Sequence, residues 1–172
     1  LRARVDHTFN GMLRGNLTAQ YADYDKLYQN LYPAGHDAGT NEIKLDGYRD
    51  PTQRENMIVQ ANLIGEFDTG AFGHTLLVGA EFGSQDTHNR RFDNFFTASN
   101  DDQIWIPLAD PITIPAFGFN DLVRDRESSV EFASFYIQDQ IDIADNFKLV
   151  IGARFDEFDV AVYDRVADAG SA

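Results

Sequence analysis

Apolar and polar residues alternate along three pairs of segments. Leu1, Ala3, Val5, His7 and Phe9 share one face of an extended chain, and Arg2, Arg4, Asp6 and Thr8 share the other. Asn10-Gly11 follows, a two-residue hairpin signal whose members both tolerate positive φ. The return segment sets Leu13, Gly15, Leu17, Ala19 and Tyr21 against Arg14, Asn16, Thr18 and Gln20. A second pair sets Met57, Val59, Ala61, Leu63, Gly65 and Phe67 against Asn56, Gln60, Asn62 and Glu66, with Ile58 and Ile64 as exceptions. It turns at Asp68–Gly73 and returns with Leu76, Val78, Ala80 and Phe82 against Thr75, Gly79, Glu81 and Gly83. The third pair has Ala133, Phe135, Ile137, Ile141 and Ile143 opposite Ser134, Gln138, Gln140 and Asp142, and Phe132 and Tyr136 leave its facing open. After Ala144-Asp145-Asn146, Phe147, Leu149, Ile151, Ala153 and Phe155 alternate with Lys148, Gly152, Arg154 and Asp156.

The pattern predicts an all-β chain of about six antiparallel strands in three hairpins. Tight turns alternate with long connections, near 25–52 and 89–128. Compact soluble domains rarely hold loops of that length, whereas outer-membrane barrels pair short periplasmic turns with long external loops. The patterned runs exceed the usual five or six residues of a soluble strand. About eleven residues tilted about 45° rise roughly 25 Å, the height of a barrel's apolar band. Arg14, Lys148 and Arg154 cannot sit cheaply in hydrocarbon, so the polar face is expected to line the interior and the apolar face to meet lipid. On that expectation Leu17, Ala61, Val78, Ile151 and Ala153 face outward. A soluble β-sandwich would produce the same alternation and stays open as an alternative.

Composition narrows the classes. A formal net charge of -14 argues against nucleic-acid binding. The chain has no cysteine, which rules out a disulfide scaffold, and its 14 Phe and 7 Tyr argue against disorder. No apolar run approaches the length of a membrane helix, but barrel strands need apolar residues only at alternate positions. The chain begins at Leu1 and ends in a small-residue tail, Ala167–Ala172, and reads as an excerpt of a longer protein. Six strands leave two unpaired edges, so the segment is not expected to be self-sufficient.

Aromatic residues in the long connections are suited to flat, partly apolar ligands. Tyr28, Tyr32, Phe95, Phe96 and Trp105 are the candidate ligand surface, against the simpler reading that they pack the connections together. Ile104-Trp105-Ile106 and Ile112-Thr113-Ile114 flank a turn and suggest a small extra hairpin. His36, His74 and His88 have no metal-ligand spacing with Asp37, Asp86 or Asp93, so no metal site is expected, and His74 reads as structural. No nucleophile elbow or phosphate loop is present, so no catalytic residue is assigned.

Three segments together resemble the TonB-dependent siderophore receptor family, of ferrichrome-receptor type. Phe135-Tyr136-Ile137-Gln138-Asp139-Gln140, then a short turn and Ile151-Gly152-Ala153-Arg154-Phe155-Asp156, is similar to the family's Y-x-Q-D and G-x-R-Y/F-D strands. His74-Thr75-Leu76-Leu77-Val78-Gly79-Ala80-Glu81, after Gly65–Gly70, resembles its H-x-L-L-x-G-x-D/E strand. Leu31-Tyr32-Pro33 with Gly47-Tyr48-Arg49-Asp50 resembles one of its long loops. Order and spacing carry the likeness, which runs from the first hairpin to Asp156.

The resemblance implies a barrel of about 22 strands closed by a plug. Residues 1–172 would then be a partial barrel domain, with plug and remaining strands elsewhere. It implies a bacterial outer-membrane location and import of a ferric siderophore as cargo, with no cofactor. The implied partners are outer-membrane lipid and TonB, reached through the plug. Arg14, Gly152, Arg154 and Asp156 would face the lumen and plug, while Asp139 falls with the lipid-facing set near the periplasmic end. The alternatives are another TonB-dependent transporter (for cobalamin or sugar oligomers), a porin, a soluble secreted β-rich binding module, or a barrel enzyme, for which no catalytic signature is visible.

Overall fold

Alternation of period two builds strands, and the computed structural model, which describes residues 1–109 and 111–166, has β-strands as its named elements. The tail Ala167–Ala172 lies outside the described residues. In chain order they are β1 (Arg2–Asn10), β2 (Leu13–Asp37), β3 (Glu42–Thr69), β4 (Phe72–Phe96), β5 (Ile104–Pro107), β6 (Phe117–Ala144) and β7 (Phe147–Asp164). They form one antiparallel sheet in the order β1-β2-β3-β4-β6-β7, with β5 paired to β3. The six long strands are the three predicted hairpins.

Their length departs from expectation. β3 and β6 have 28 residues each, roughly 90 Å of extended chain, more than twice what a tilted strand needs to cross the apolar band. Most of 25–52 and 89–128 is therefore strand rather than loop, and the connections shrink to 38–41 and 97–116. The reason is that lipid imposes a two-faced pattern only where it touches the sheet. Where both faces meet water the alternation fades, yet strand pairing still satisfies the backbone. The extra hairpin is corrected too. Ile104–Pro107 pairs antiparallel with β3, Leu45 opposite Ile104 and Ile43 opposite Ile106, beyond the end of β4, and 112–114 is not strand.

The chain divides into two compact units. The first comprises Leu1–Asp23, Glu55–Asp86 and Ser129–Ala161. β1 pairs with β2 in register from Arg2 opposite Gln20 to Thr8 opposite Arg14, with an irregularity before Asn10. That turn is closed by the Asn10 side chain, whose Oδ1 accepts from the amides of Met12 and Leu13 at 2.8 and 2.9 Å. Gly11 is not in the left-handed region that it tolerates, while Gly70 is, at φ 68°. The tight turns gather at one end: the Glu66 amide donates to the Met12 carbonyl, and Gly73 lies against Asp142.

One face of this unit is apolar and open. Val5, Phe9, Leu17, Met57, Leu63, Val78, Phe82, Phe135, Ile137, Ile151 and Phe155 are exposed, as are Ala61 and Ala153. A soluble sandwich would bury such a face, and soluble monomers rarely leave large apolar patches on water. The second unit comprises Tyr24–Arg54, Thr87–Ser128 and the described residues from Val162 on. Its core is small, Leu45, Phe96 and Ile106, with Leu31, Ile43 and Ile104 against it.

Candidate functional site

The other face of the first unit carries a connected polar network. Asn62 Nδ2 donates to Asn16 Oδ1 at 3.0 Å, and the Tyr136 hydroxyl donates to Asn62 Oδ1 at 2.6 Å. Gln60 Nε2 reaches Tyr136 at 3.1 Å and Glu81 at 3.2 Å. Arg154 then donates to Glu81, to the Ser134 hydroxyl at 2.9 Å and to Asp156 at 2.7 Å, with its guanidinium 5.4 Å from the centre of the Tyr136 ring. Ser134 donates to Asp156 at 2.6 Å. The open question about β6 is thereby answered. Phe132 and Tyr136 share the polar face with Ser134, because glycines on β4 make room: a Cβ at Gly79 would overlap the Tyr136 ring, and one at Gly83 the Phe132 ring.

Of the expected interior residues, Arg154 and Asp156 are in this network. Arg14 pairs with Glu66 at its margin. Gly152 lets β6 and β7 approach, since a Cβ there would sit 3.0 Å from the Ile137 carbonyl. Asp139 shares the apolar face, and that face supplies it a partner. Its carboxylate accepts from His74 Nδ1 at 2.8 Å, the other ring nitrogen meets Thr69 at 2.7 Å, and Phe67 stacks on the imidazole at 5.0 Å. His74 is structural, as expected, and it joins two of the sequence motifs.

In the second unit Tyr28 and Tyr32 meet around Tyr48, a ring absent from the expected ligand surface. Their centroids lie 5.7 and 6.3 Å from that of Tyr48. Tyr48 in turn carries the Arg91 guanidinium 4.1 Å from its centre. Arg91 is held by Asp50 through two bonds of 2.8 and 2.6 Å. Trp105 stands elsewhere, on β5 with Lys44 Nζ 5.4 Å from its ring. Phe95 is half-buried at the end of β4. Phe96 is wholly buried in the small core and has no surface to offer a ligand. The Asp50–Arg91 pair was accessible to counting. Asp50–Arg91, Thr52–Asn89, Arg54–Thr87 and Gln60–Glu81 are all side-chain pairs, each equally far on either side of the Gly70–Ala71 turn.

Charge is unevenly distributed here. Hydrogen bonds from Arg91 hold the Asp50 carboxyl below its usual range, with Arg124 and Lys26 adding to the effect. Asp93 is pushed the other way, first by burial and then by Asp121, Asp46 and Asp50, with Arg91 opposing. A hydrogen bond with Asp101 raises Asp102. Partial burial and the carboxylates Asp46 and Asp93 raise the Tyr32 hydroxyl. Asp46 also accepts from Gln103 at 2.9 Å. His88 pairs with Asp125 at 2.6 Å rather than with Asp86 or Asp93.

Residues 1–172 match the family described as TonB dependent receptor-like, beta-barrel. The chain belongs to that family. The ferrioxamine B receptor of Salmonella typhimurium is 24% identical over 169 residues, 97% of this chain and 22% of that receptor. The metal-pseudopaline receptor CntO of Pseudomonas aeruginosa is 27% identical over 176 residues, 92% of this chain and 22% of that receptor. The chain thus spans about a fifth of the length of these curated relatives. Among solved structures, the siderophore receptor PiuA from Acinetobacter baumannii superposes with TM-score 0.80 at 22% identity, over 95% of this chain and 26% of that one. The ferripyoverdine receptor of Pseudomonas aeruginosa gives 0.82 at 14% identity, over 95% and 22%. The likeness to these structures shows the fold, a segment of a β-barrel, and the matched family is one of TonB-dependent receptors.

Proposed function

We propose that this segment belongs to a TonB-dependent receptor that imports a ferric siderophore, with the plug and the remaining barrel strands in other parts of the same protein. The observation that carries the reading is the two-faced sheet of the first unit. Its apolar face needs hydrocarbon, and its polar face is a hydrogen-bonded network centred on Tyr136 and Arg154 that needs a wet or protein-filled interior. Arg14, Gly152, Arg154 and Asp156 line that interior and contact the plug, and TonB is reached through the plug.

Tyr28, Tyr32 and Tyr48, fixed by Arg91 and Asp50, form the ligand-meeting surface. Flat rings with polar tips give area and hydrogen bonding at little cost in side-chain entropy. Trp105 is a separate exposed aromatic and Phe95 a flanking one. The names of the relatives, a ferrioxamine B receptor and a metal-pseudopaline receptor, support a metal chelate as cargo. The test is binding and uptake of ferric siderophores by the full-length receptor. Replacing Tyr28, Tyr32 and Tyr48 together with alanine should weaken binding while the barrel still assembles in the outer membrane. Unchanged binding would return the three rings to a packing role.

A further inference from the structure

We propose that the tyrosine cluster is cation-selective: it takes ferric complexes bearing a free ammonium group in preference to neutral or anionic ones. This rests on the siderophore-import reading and names the substrate class of that same site. A cluster of tyrosine rings is itself a cation seat, because the negative face of each ring attracts ammonium and guanidinium groups. The cluster already demonstrates this with a cation of its own, Arg91 over Tyr48 at 4.1 Å. That guanidinium is already paired with a carboxylate, which offsets its charge toward an incoming anion. Its Nε and an Nη are both spent on Asp50, at 2.8 and 2.6 Å.

The remaining charge is asymmetric. At the Asp50 end, Arg91, Arg124 and Lys26 compensate the carboxylate. At the Tyr32 end, Asp46 and Asp93 raise the ring hydroxyl, and Asp93 is itself raised by burial and by Asp121, Asp46 and Asp50, with Arg91 opposing. Asp46 has Gln103 as a neutral partner. Tyr28 and Tyr32 remain 47% and 36% exposed, so their rings are open to a ligand. An ammonium placed beside Tyr32 meets aromatic surface and two carboxylates together. An anionic complex placed there meets those carboxylates and, at Tyr48, a guanidinium whose charge is already paired with Asp50.

The experiment uses the full-length receptor and three probes. They are a ferric tris-hydroxamate with one free ammonium, the same complex N-acetylated and so neutral, and a trianionic ferric tris-catecholate. The ammonium complex should bind about fivefold more tightly than its acetylated form, and the tris-catecholate most weakly. Asp93→Asn should shrink the gap, and the exposed Asp121→Asn should shrink it while leaving the affinity for the acetylated complex unchanged. Equal binding of the first two probes, tightest binding of the tris-catecholate, or a gap that survives both substitutions overturns the inference while the import reading stands. Binding of none of the three also overturns the inference, and the import reading falls separately if the full-length receptor takes up no ferric siderophore.

Discussion

At the scale of single residues, Gly79 and Tyr136 show how one absent side chain decides a face. The ring lies where a Cβ would be, and its hydroxyl ties two amides on β3. Gly79→Ala should destabilise the barrel by about 1–3 kcal/mol through overpacking, measured by denaturant titration of the full receptor in lipid vesicles. Gly65→Ala, where a Cβ meets open space, is the control and should change stability far less. Asp50 and Asp93 are expected to respond to pH with opposite signs. Arg91 lowers the Asp50 pKa, so its stabilising effect is fully present above the ordinary value of about 3.9 and is lost as pH falls through the lower folded value. Asp93 is raised, so between its ordinary and raised values stability falls as pH rises. At neutral pH, Asp50→Asn should reduce amide-exchange protection in β3 and β4 near Arg91, and Asp93→Asn should not. Equal losses in both would mean that charge is not what distinguishes the two sites. Little of this was legible beforehand. Alternation placed Arg154 and Asp156 on the polar face, but nothing local showed that Tyr48 gathers Tyr28 and Tyr32 or that Phe96 is buried, because both depend on which strands meet.

At the scale of elements, the three hairpins and their turns were legible because lipid on one side and polar contents on the other write a period of two into the chain. Strand length was not, since that pattern stops where lipid stops while the ladder continues. β5 was read as half of a local hairpin. Its partner is the free end of β3, far away in sequence, and no short-range signal distinguishes the two pairings. The apolar face gives a direct test. Ile151, 58% exposed on β7, should cost about 2–4 kcal/mol when replaced by Arg if it lies near mid-depth in the bilayer. Lys148, on the other face and paired with Asp142, should tolerate Arg with little change. A refolding titration in vesicles that finds no loss for Ile151→Arg would show that this face is not in hydrocarbon.

At the scale of the whole molecule, β1 and β7 end the strand order and each presents an edge. Unpaired backbone groups cost several kcal/mol each in hydrocarbon, and in water an edge templates aggregation. Residues 1–172 expressed alone should therefore fail to give a compact monomer without detergent, as read by sedimentation and amide exchange. A protected, monodisperse species would contradict the barrel-segment reading. The unbroken register of the β3–β4 hairpin constrains how this protein can change length. Its side-chain pairs keep step with the Gly70–Ala71 turn as far as Asp50 and Arg91. One residue inserted between Gly73 and Glu81 would move every later side chain of β4 to the opposite face, sending Glu81 and Arg91 away from their partners together. The same insertion between residues 97 and 103 shifts no paired strand of that hairpin, so tolerated insertions, epitope tags and natural length differences are expected there.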